Sequence, residues 1–251
     1  MPTTVLITGA SGGIGQALAL EFAAPGMVLF LHGRDRERLA SVAGSCRARG
    51  AAVHEVVQDL CDAPQWMDRL QAIARQDPID LAIVNAGVTA AATAAGESWA
   101  DVDRILAVNV RGTLATVAAL VPSMRARGQG QIALVSSLAA WFGLPVTPTY
   151  CASKAAIKCY GEALRGWLAP QGVRVSVVLP GFVETAMSAR FPAAQPLRIS
   201  PQLAARRIRK GLARDRARIA FPLPLSVGMW ALALLPAALS QRLVRSLGYG
   251  I

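Results

Sequence analysis

The chain has 251 residues, of which 53% are hydrophobic and only 16% are charged, so it can bury a sizeable core as one domain of the larger α/β kind. The formal net charge is +11, but residues 198–218 carry +7 and two arginines at 242 and 245 add two more, which leaves +2 on residues 1–197. A nearly neutral body argues against nucleic acid as a partner, because a general basic face is absent.

The cysteines and the N-terminus indicate a cytoplasmic location. Cys46, Cys61, Cys151 and Cys159 show no CxxC or other metal-ligand spacing, and His32 and His54 lack neighbouring ligand types, so no metal site is predicted. Met-Pro-Thr-Thr leads directly into an apolar run, without the regions of a secretory signal. Both observations fit reduced thiols in a cytoplasmic protein.

The first predicted strand, Thr4–Thr8, is a short apolar run rich in β-branched residues. It is followed by a glycine-rich turn, Gly9-Ala10-Ser11-Gly12-Gly13-Ile14-Gly15, and then by apolar residues at helical spacing. Strand, turn and helix together present backbone N–H groups and a helix N-terminus to a phosphate. The alternative is a glycine-rich turn that binds no nucleotide.

The second predicted strand, Met27–Leu31, ends at His32-Gly33-Arg34. At this position of a dinucleotide-binding fold, an acid would bind the ribose 2′-hydroxyl, whereas an arginine can bind a 2′-phosphate. Arg34 therefore favours NADP over NAD, although Asp35 follows it directly. The alternative for Arg34 is a solvated charge at the start of the next helix.

Two further strands, Val53–Val57 and Ile79–Val84, flank a predicted helix, Ala63–Arg75. Strands that alternate with helices indicate a parallel sheet with both faces covered. Ligands bind beyond the carboxyl ends of such strands. Four candidate positions fall at this edge: Gly9, Arg34, Asp59 and Asn85.

One long helix is predicted from Ser98 to Arg127, with Asn109 inside an apolar run. A buried amide is costly unless it is hydrogen-bonded, so Asn109 either bridges to a neighbouring strand or serves a site. A fifth predicted strand, Gln131–Val135, then leads into Ser136-Ser137.

Tyr150 and Lys154 begin a predicted helix that runs through Leu168. Residues four apart lie on the same helix face. A lysine ammonium about 4 Å from a phenol favours the phenolate by roughly 4 kcal/mol, which would bring the tyrosine pKa from about 10 towards neutral. The spacing therefore favours an acid/base pair, with two ordinary helix residues as the alternative.

In their order and spacing these motifs resemble the short-chain dehydrogenase/reductase family, in its small single-domain form. The resemblance covers about residues 3 to 185 and implies a Rossmann-type, doubly wound parallel seven-stranded sheet with helices on both faces. Val84 is a small departure, since the family often has asparagine there. The residues that carry the resemblance are Thr8 and the glycine-rich turn, Asn85-Ala86-Gly87, Asn109, Ser137, Tyr150, Lys154 and, after a sixth strand at Val173–Val178, Pro180-Gly181 and Thr185.

The resemblance implies an NAD(P)-dependent oxidoreductase with four catalytic residues. Tyr150 would be the general acid in reduction and the base in oxidation, and Lys154 would lower its pKa and bind the nicotinamide ribose. Ser137 would hold the substrate carbonyl, and Asn109 would position a water, while hydride passes between nicotinamide and carbonyl carbon. The candidate cofactor-binding residues are Gly9, Ser11, Gly13, Ile14, Gly15, Arg34, Asp59, Leu60, Asn85, Ala86, Gly87, Tyr150, Lys154, Pro180, Gly181, Val183 and Thr185.

The loop before Tyr150, residues 138–146, is strongly apolar and contains Trp141 and Phe142. In the family this loop borders the substrate, so a hydrophobic ketone or alcohol, lipid- or steroid-like, is predicted. It would contact Ser137, Trp141, Phe142 and Tyr150. The alternative is that Trp141 and Phe142 are core or interface residues.

The C-terminal part departs most from the family. Residues 186–213 are predicted to form a substrate-covering segment and a helix that begins after Ser200-Pro201, and a seventh strand, Arg218–Phe221, completes a domain of residues 1–221. Residues 222–251 then form an apolar C-terminal helical extension of the same domain. A membrane span is disfavoured, because prolines leave only Leu225–Leu235 as an unbroken helix of about 16 Å.

The extension also carries features of a membrane-surface segment. Leu239, Leu243 and Leu247 lie on one helical line, with Arg242 and Arg245 off that line. With Trp230, this pattern predicts peripheral contact with an anionic membrane at its cytoplasmic face. The alternative is that the extension packs over the substrate pocket or a subunit interface.

Two other functions stay open. A 3-oxoacyl reductase acting on carrier-bound chains could use the basic region Arg206–Arg218 to receive an acidic carrier protein. A cofactor-binding scaffold that has lost its chemistry is disfavoured, because all four catalytic residue types are present. The resemblance also implies a homodimer or homotetramer formed through the helix that bears Tyr150 and the helix before it.

Overall fold

The computed structural model describes residues 3–93 and 95–250. Within these residues, seven strands form one parallel sheet in the order β3-β2-β1-β4-β5-β6-β7. The order reverses between β1 and β4, which opens a crevice at the carboxyl edge of the sheet. The strands are β1 Thr4–Ile7, β2 Val28–Gly33, β3 Ala52–Val57, β4 Leu81–Val84, β5 Gly130–Val135, β6 Val173–Pro180 and β7 Arg218–Phe221.

Helices cover both faces of the sheet, which confirms the predicted doubly wound architecture. One hydrophobic core lies under α1, α2 and α7, and a second lies under α3, α5 and α6. The helices are α1 Gly13–Phe22, α2 Arg36–Arg47, α3 Ala63–Gln76, α4 Trp99–Ile105, α5 Gly112–Ala126, α6 Pro148–Leu168, α7 Pro201–Ala213, α8 Leu223–Leu234 and α9 Ala237–Val244.

The predicted single helix from Ser98 to Arg127 is interrupted. A π-helical turn, Leu106–Arg111, separates α4 from α5 and contains Asn109. The stretch Trp99–Ala126 is long and apolar enough to cross a membrane by length and composition alone, but 67% of its most apolar window is buried in the fold. Burial on this scale is typical of a core helix.

The C-terminal extension folds back onto the domain. A third core joins Met229 of α8 and Val244 of α9 to Leu138 and Leu144 of the loop that follows β5. The helix α8 begins two residues earlier than predicted, because Pro224 occupies its first turn, where a missing N–H costs nothing. The inner face of the extension therefore packs beside the crevice.

Candidate active site

A cavity of about 400 Å³ lies at the carboxyl edge of the sheet. It runs from the glycine-rich turn after β1 to the N-terminal end of α6. Gly15 and Asn109 lie outside its lining, as do Trp141 and Phe142. The sequence-predicted residues that line it are Gly9, Ser11, Gly13, Ile14, Arg34, Asp59, Leu60, Asn85, Ala86, Gly87, Ser137, Tyr150, Lys154, Pro180, Gly181, Val183 and Thr185.

The glycine-rich turn leaves one end of the cavity free of side chains. Gly12 is extended and caps α1 without a side-chain hydrogen bond, and no atom lies within 4 Å of where its Cβ would stand. A Cβ on Gly15, in contrast, would overlap the carbonyl oxygen of Gly9. The N-terminal N–H groups of α1 thus lie at the cavity wall, the arrangement that accepts a phosphate.

The turn is held from below by two polar side chains. The amide of Asn85 donates to the carbonyl oxygens of Thr8 and Gly9, at 3.1 and 3.3 Å. The backbone N–H of Gly9 donates to Nδ1 of His32 at 3.4 Å, and Nε2 of His32 bonds the Gln58 carbonyl oxygen at 3.1 Å. Burial lowers the pKa of His32 to about 4, so the ring is neutral at neutral pH. His32 is therefore a neutral structural support of the turn.

Two arginines lie at the cavity beyond the end of β2. Arg34 lines it as predicted, and so does Arg38, which the sequence interpretation missed although it lies one helical turn further on. Asp35, whose charge weakened the NADP prediction, caps α2 by accepting the backbone N–H of Arg38 at 3.0 Å. The Asp35 carboxylate is thus the N-terminal cap of α2.

Asp59 follows β3 on the same side of the cavity. Its carboxylate accepts the backbone N–H of Cys61 at 2.9 Å. This hydrogen bond is the main cause that lowers the pKa of Asp59, and the charges of Arg34 and Arg104 contribute less. Asp59 is therefore an anion at neutral pH, and the main cause of its lowered pKa is a backbone N–H of its own loop.

Ser137 and Tyr150 lie together at the other end. The Ser137 Oγ accepts the Ala139 N–H at 3.1 Å, which fixes the side chain, and its hydroxyl donates to the Pro180 carbonyl oxygen at 3.5 Å. Burial raises the pKa of Tyr150 to about 12, although a hydrogen bond with Ser137 partly offsets the effect. Tyr150 therefore keeps its proton at neutral pH.

Lys154 is buried beside Tyr150 but does not lower its pKa as the spacing predicts. Its Nζ donates to the Val135 carbonyl oxygen at 3.0 Å and lies 5.6 Å from the centroid of the tyrosine ring. Burial lowers the pKa of Lys154 to about 8. The prediction of a phenol pKa near neutral is wrong for this arrangement, because burial penalises the phenolate and the group that lowers the tyrosine pKa is Ser137 rather than Lys154.

Asn109 joins the π turn to the loop after β4. Its Oδ1 accepts the Val88 N–H at 2.8 Å, and its Nδ2 donates to the Val88 carbonyl oxygen at 2.9 Å and to Ser153 Oγ at 3.0 Å. A Cβ on Gly87 would stand 3.3 Å from both Asn109 Oδ1 and Lys154 Nζ. Asn109 therefore satisfies its amide by bridging to the loop, and it borders the end of the cavity that holds Lys154.

The apolar wall is built from different residues than predicted. Trp141 and Phe142 line a separate hollow with Gln241 of α9, and the Trp141 ring lies 4.2 Å from the Lys158 ammonium. The loop after β5 turns them away from the cavity because it packs against the extension. The apolar residues that the cavity does have at this end are Ala139, Leu144, Phe182, Ala186, Met187 and Phe191.

The residues present fit a nicotinamide dinucleotide. The side-chain-free turn at the N-terminus of α1 suits the pyrophosphate, the arginine pair suits a phosphorylated ribose, and the hydroxyls and lysine suit the reacting end. Across residues 3–93 and 95–250, no group of three or more metal-ligating side chains comes together.

Comparisons with known proteins identify one family of oxidoreductases. The family model described as short chain dehydrogenase matches residues 3–196. An uncharacterized oxidoreductase of Myxococcus xanthus is 35% identical over 245 residues, which are 97% of each chain.

Two solved structures resemble the whole chain. A short-chain dehydrogenase from Sphingobium yanoikuyae in complex with NADPH superimposes with a TM-score of 0.83 at 28% identity, over 96% of this chain and 95% of that one. A short chain dehydrogenase/reductase from Burkholderia phymatum in complex with NAD gives a TM-score of 0.80 at 27% identity, over 92% of each chain.

Proposed function

Because the chain belongs to the short-chain dehydrogenase/reductase family and is therefore an NAD(P)-dependent oxidoreductase, we propose that it interconverts a hydrophobic ketone and its secondary alcohol with NADP(H). One observation carries the proposal. The hydroxyls of Ser137 and Tyr150 and the ammonium of Lys154 meet at one end of a cavity whose other end is a phosphate-binding turn.

In the reductive direction, Tyr150 is the general acid. Its raised pKa keeps the phenol protonated at neutral pH, so the O–H donates to the substrate oxygen and transfers its proton as negative charge develops there. The bound nicotinamide supplies or accepts the hydride. Ser137 donates the second hydrogen bond to the same oxygen, since its Oγ is held by the Ala139 N–H.

Lys154 and Asn109 support the acid. Lys154 has a lowered pKa of about 8 and is mostly protonated at pH 7, so it holds a positive charge and a proton beside the tyrosine ring. We propose that it also binds the nicotinamide ribose. Asn109 is hydrogen-bonded on both sides of its amide to Val88, which keeps the π turn at the catalytic end and can position a water there.

NADP rather than NAD is proposed as the cofactor. Arg34 and Arg38 both line the cavity beyond β2, whereas the neighbouring acid, Asp35, caps α2 and forms an ion pair with Arg38 at 3.2 Å. A pair of guanidinium groups suits a 2′-phosphate and gives no specific partner to an unmodified 2′-hydroxyl. Asp59 and Leu60 would lie at the adenine, and Thr185 at the carboxamide.

A hydrophobic substrate is supported by the apolar residues at the catalytic end. Phe182, Met187 and Phe191 line the cavity together with the hydroxyl pair. Among the described residues, the charged side chains of the lining are Lys154 and, beyond β2 and β3, Arg34, Arg38 and Asp59. A 3-oxoacyl reductase acting on carrier-bound chains is the second candidate, because the exposed basic residues of α7 could receive an acidic carrier protein.

Partners are proposed from the surface. A homodimer or homotetramer through α6 is proposed with the family as its basis. The outer face of the extension carries exposed leucines and Trp230 together with Arg242 and Arg245, and no acidic residue follows Asp215. Contact with an anionic membrane is proposed from this combination.

The test is reduction of methyl ketones of rising chain length with NADPH. We expect KM to fall with chain length, and Tyr150→Phe to lower kcat/KM by about 10²- to 10⁴-fold, the usual contribution of a positioned general acid. NADPH binding, followed by its fluorescence, should change little. Tyr160→Phe, on the same helix but away from the cavity, is the matched control.

Three results would contradict the proposal. Turnover that Tyr150→Phe leaves unchanged would remove the tyrosine from the mechanism. Tight NADPH binding without turnover of any ketone or secondary alcohol would favour the scaffold, and activity confined to carrier-bound 3-oxoacyl chains would favour the second candidate.

A further inference from the structure

The C-terminal end of the chain contacts both sides of the cavity mouth. Val244 of α9 is buried against Leu138 and Leu144 of the loop that follows Ser137. The turn after α9, Arg245–Tyr249, carries Tyr249 into the same apolar cluster beside Phe191. The extension is thus attached to the catalytic loop on one side and to the substrate-covering segment, residues 186–197, on the other.

Tyr249 makes two contacts with that segment. Its Oη donates to the carbonyl oxygen of Ala194 at 2.7 Å, and its ring centroid lies 6.1 Å from that of Phe191 in a tilted arrangement. Phe191 in turn packs 5.3 Å from Phe182, and both phenylalanines line the cavity. A chain of three aromatic rings therefore runs from the C-terminal turn into the cavity wall.

The two ends of the segment have anchors of their own. At the start, Ser188 Oγ donates to the Val183 carbonyl oxygen at 2.5 Å and accepts the Thr185 N–H at 3.1 Å. At the far end, Ile199 pairs with Val183 through a β-bridge. Among the described residues, Tyr249 makes the one hydrogen bond that joins residues 190–197 to a distant part of the chain.

We propose that Tyr249 is a positioning residue for the substrate, because it holds Phe191 in place as the outer wall of the apolar end. The proposal rests on the proposed function, since it assigns that wall to a hydrophobic ketone. Tyr249 touches neither the hydroxyl pair nor the phosphate-binding turn. Its loss should therefore affect binding of long substrates and leave the chemical step alone.

Limited digestion with trypsin tests the contact without any turnover. Arg190 and Arg198 are both exposed, but Arg190–Phe191 lies in the part held by Tyr249, whereas Arg198–Ile199 adjoins the β-bridge. Tyr249→Phe keeps the ring and removes the donor. We expect cleavage after Arg190 to accelerate by about 2- to 12-fold, the range for one lost neutral hydrogen bond, and cleavage after Arg198 to stay unchanged.

Kinetics then test the consequence for the substrate. With Tyr249→Phe, we expect KM for long-chain ketones to rise by a similar factor, while kcat and the parameters for short ketones stay the same. Tyr249→Leu, which also removes the ring, should raise KM further. Tyr160→Phe serves as the control for loss of a phenolic hydroxyl elsewhere.

The outcomes separate the two proposals. Equal cleavage after Arg190 in wild type and Tyr249→Phe, with equal KM values, would overturn the role of Tyr249 even in an active enzyme. A full-length chain that turns over no ketone would overturn the proposed function, but faster cleavage after Arg190 would still establish the contact.

Discussion

Burial acts in opposite directions on the two titrating residues of the site. It raises the pKa of Tyr150 and lowers that of Lys154, because removal from water penalises phenolate and ammonium alike. The Tyr150 phenol therefore keeps its proton over the whole neutral pH range. The Lys154 ammonium loses its proton just above that range. In this arrangement the phenol is the fully protonated partner at neutral pH.

Arg34 is the residue that should decide the cofactor. Arg34→Leu removes one guanidinium from the wall beyond β2, and we expect NADPH to bind about 10- to 100-fold more weakly, the value of a charge-assisted hydrogen bond. NADH binding should change by less than about threefold. Arg36→Leu is the matched control, since Arg36 is also exposed, at the start of α2, and does not line the cavity.

Titration of each variant with both nucleotides, by nucleotide fluorescence, measures the ratio of the two dissociation constants. If the ratio in Arg34→Leu equals that in the wild type, groups other than Arg34 bind the 2′-phosphate. Arg38 is then the first residue to examine. Loss of binding for both nucleotides to the same degree would indicate a general electrostatic effect of the arginine.

The sequence predicts the position of a residue where that position follows from local spacing along the chain. The turn Gly9–Gly15 and the strand ends at Asp59 and Asn85 follow from short-range patterns, and all lie at or against the cavity. The orientation of Trp141 and Phe142 could not be predicted, because both pack against the cluster that contains Met229 and Val244, roughly a hundred residues away. The phenol pKa was mispredicted for a similar reason, since desolvation is a property of the folded surroundings.

At the scale of elements, the first two turns of α6 carry Tyr150 and Lys154, and a residue from outside the helix caps its N-terminus. Thr147, the residue before the helix, makes no side-chain cap hydrogen bond. Instead the carboxylate of Glu97 accepts the Thr149 N–H at 3.1 Å and the Thr149 hydroxyl. A negative group at a helix N-terminus pairs with unsatisfied N–H groups and with the positive end of the helix dipole.

We therefore expect Glu97→Ala to lower the free energy of unfolding by about 1 to 2 kcal/mol, the usual cost of a lost N-terminal cap. Glu97→Gln keeps the acceptor and loses the charge, so its effect should be smaller. Denaturant unfolding followed by circular dichroism measures both. Glu37→Ala is the control, because Glu37 is an exposed glutamate in the first turn of α2 whose side chain has no hydrogen-bond partner among the described residues.

Equal losses in Glu97→Ala and Glu37→Ala would contradict this account of α6. Sequence periodicity predicts the helix itself but not its cap, because Glu97 and Thr149 are 52 residues apart. The same limit explains the π turn around Asn109, where the amide bonds Val88 and Ser153 rather than its own helix.

On the scale of the whole molecule, charge and apolar surface are both concentrated at the C-terminal end. The inner side of the extension packs into the third core through Met229 and Val244. Its outer side exposes leucines at 223, 234, 239, 243 and 247, together with Trp230. A helix of 12 residues is about 18 Å long and cannot cross a bilayer core of about 30 Å, so α8 suits a membrane surface rather than a span.

The charges of this face favour lipid over a second copy of the chain. Arg242 and Arg245 are exposed, and no acidic residue follows Asp215 in the sequence. If two copies of this face packed together, arginines would lie near arginines with no acidic partner on either extension. Anionic headgroups, in contrast, attract each arginine by about 1 kcal/mol. The apolar outer side then gains from burial at the acyl boundary.

Flotation with lipid vesicles tests this surface. We expect the full-length protein to float with vesicles that contain about a third anionic lipid, and to float less with zwitterionic vesicles or at high salt. Trp230→Ala should weaken binding by about 10- to 100-fold, the value of burying a large apolar side chain. Trp99→Ala is the matched control, because Trp99 is 80% exposed against 48% for Trp230 but lies on α4, outside the extension.

The control also separates lipid binding from self-association. If Trp99→Ala and Trp230→Ala weaken flotation equally, apolar exposure in general is responsible and the extension has no special role. If Trp230→Ala leaves flotation unchanged but abolishes a concentration-dependent dimer in sedimentation, a second copy covers the face. Loss of flotation in Trp230→Ala alone, at an unchanged oligomeric state, is the result that the distribution of arginines and leucines predicts.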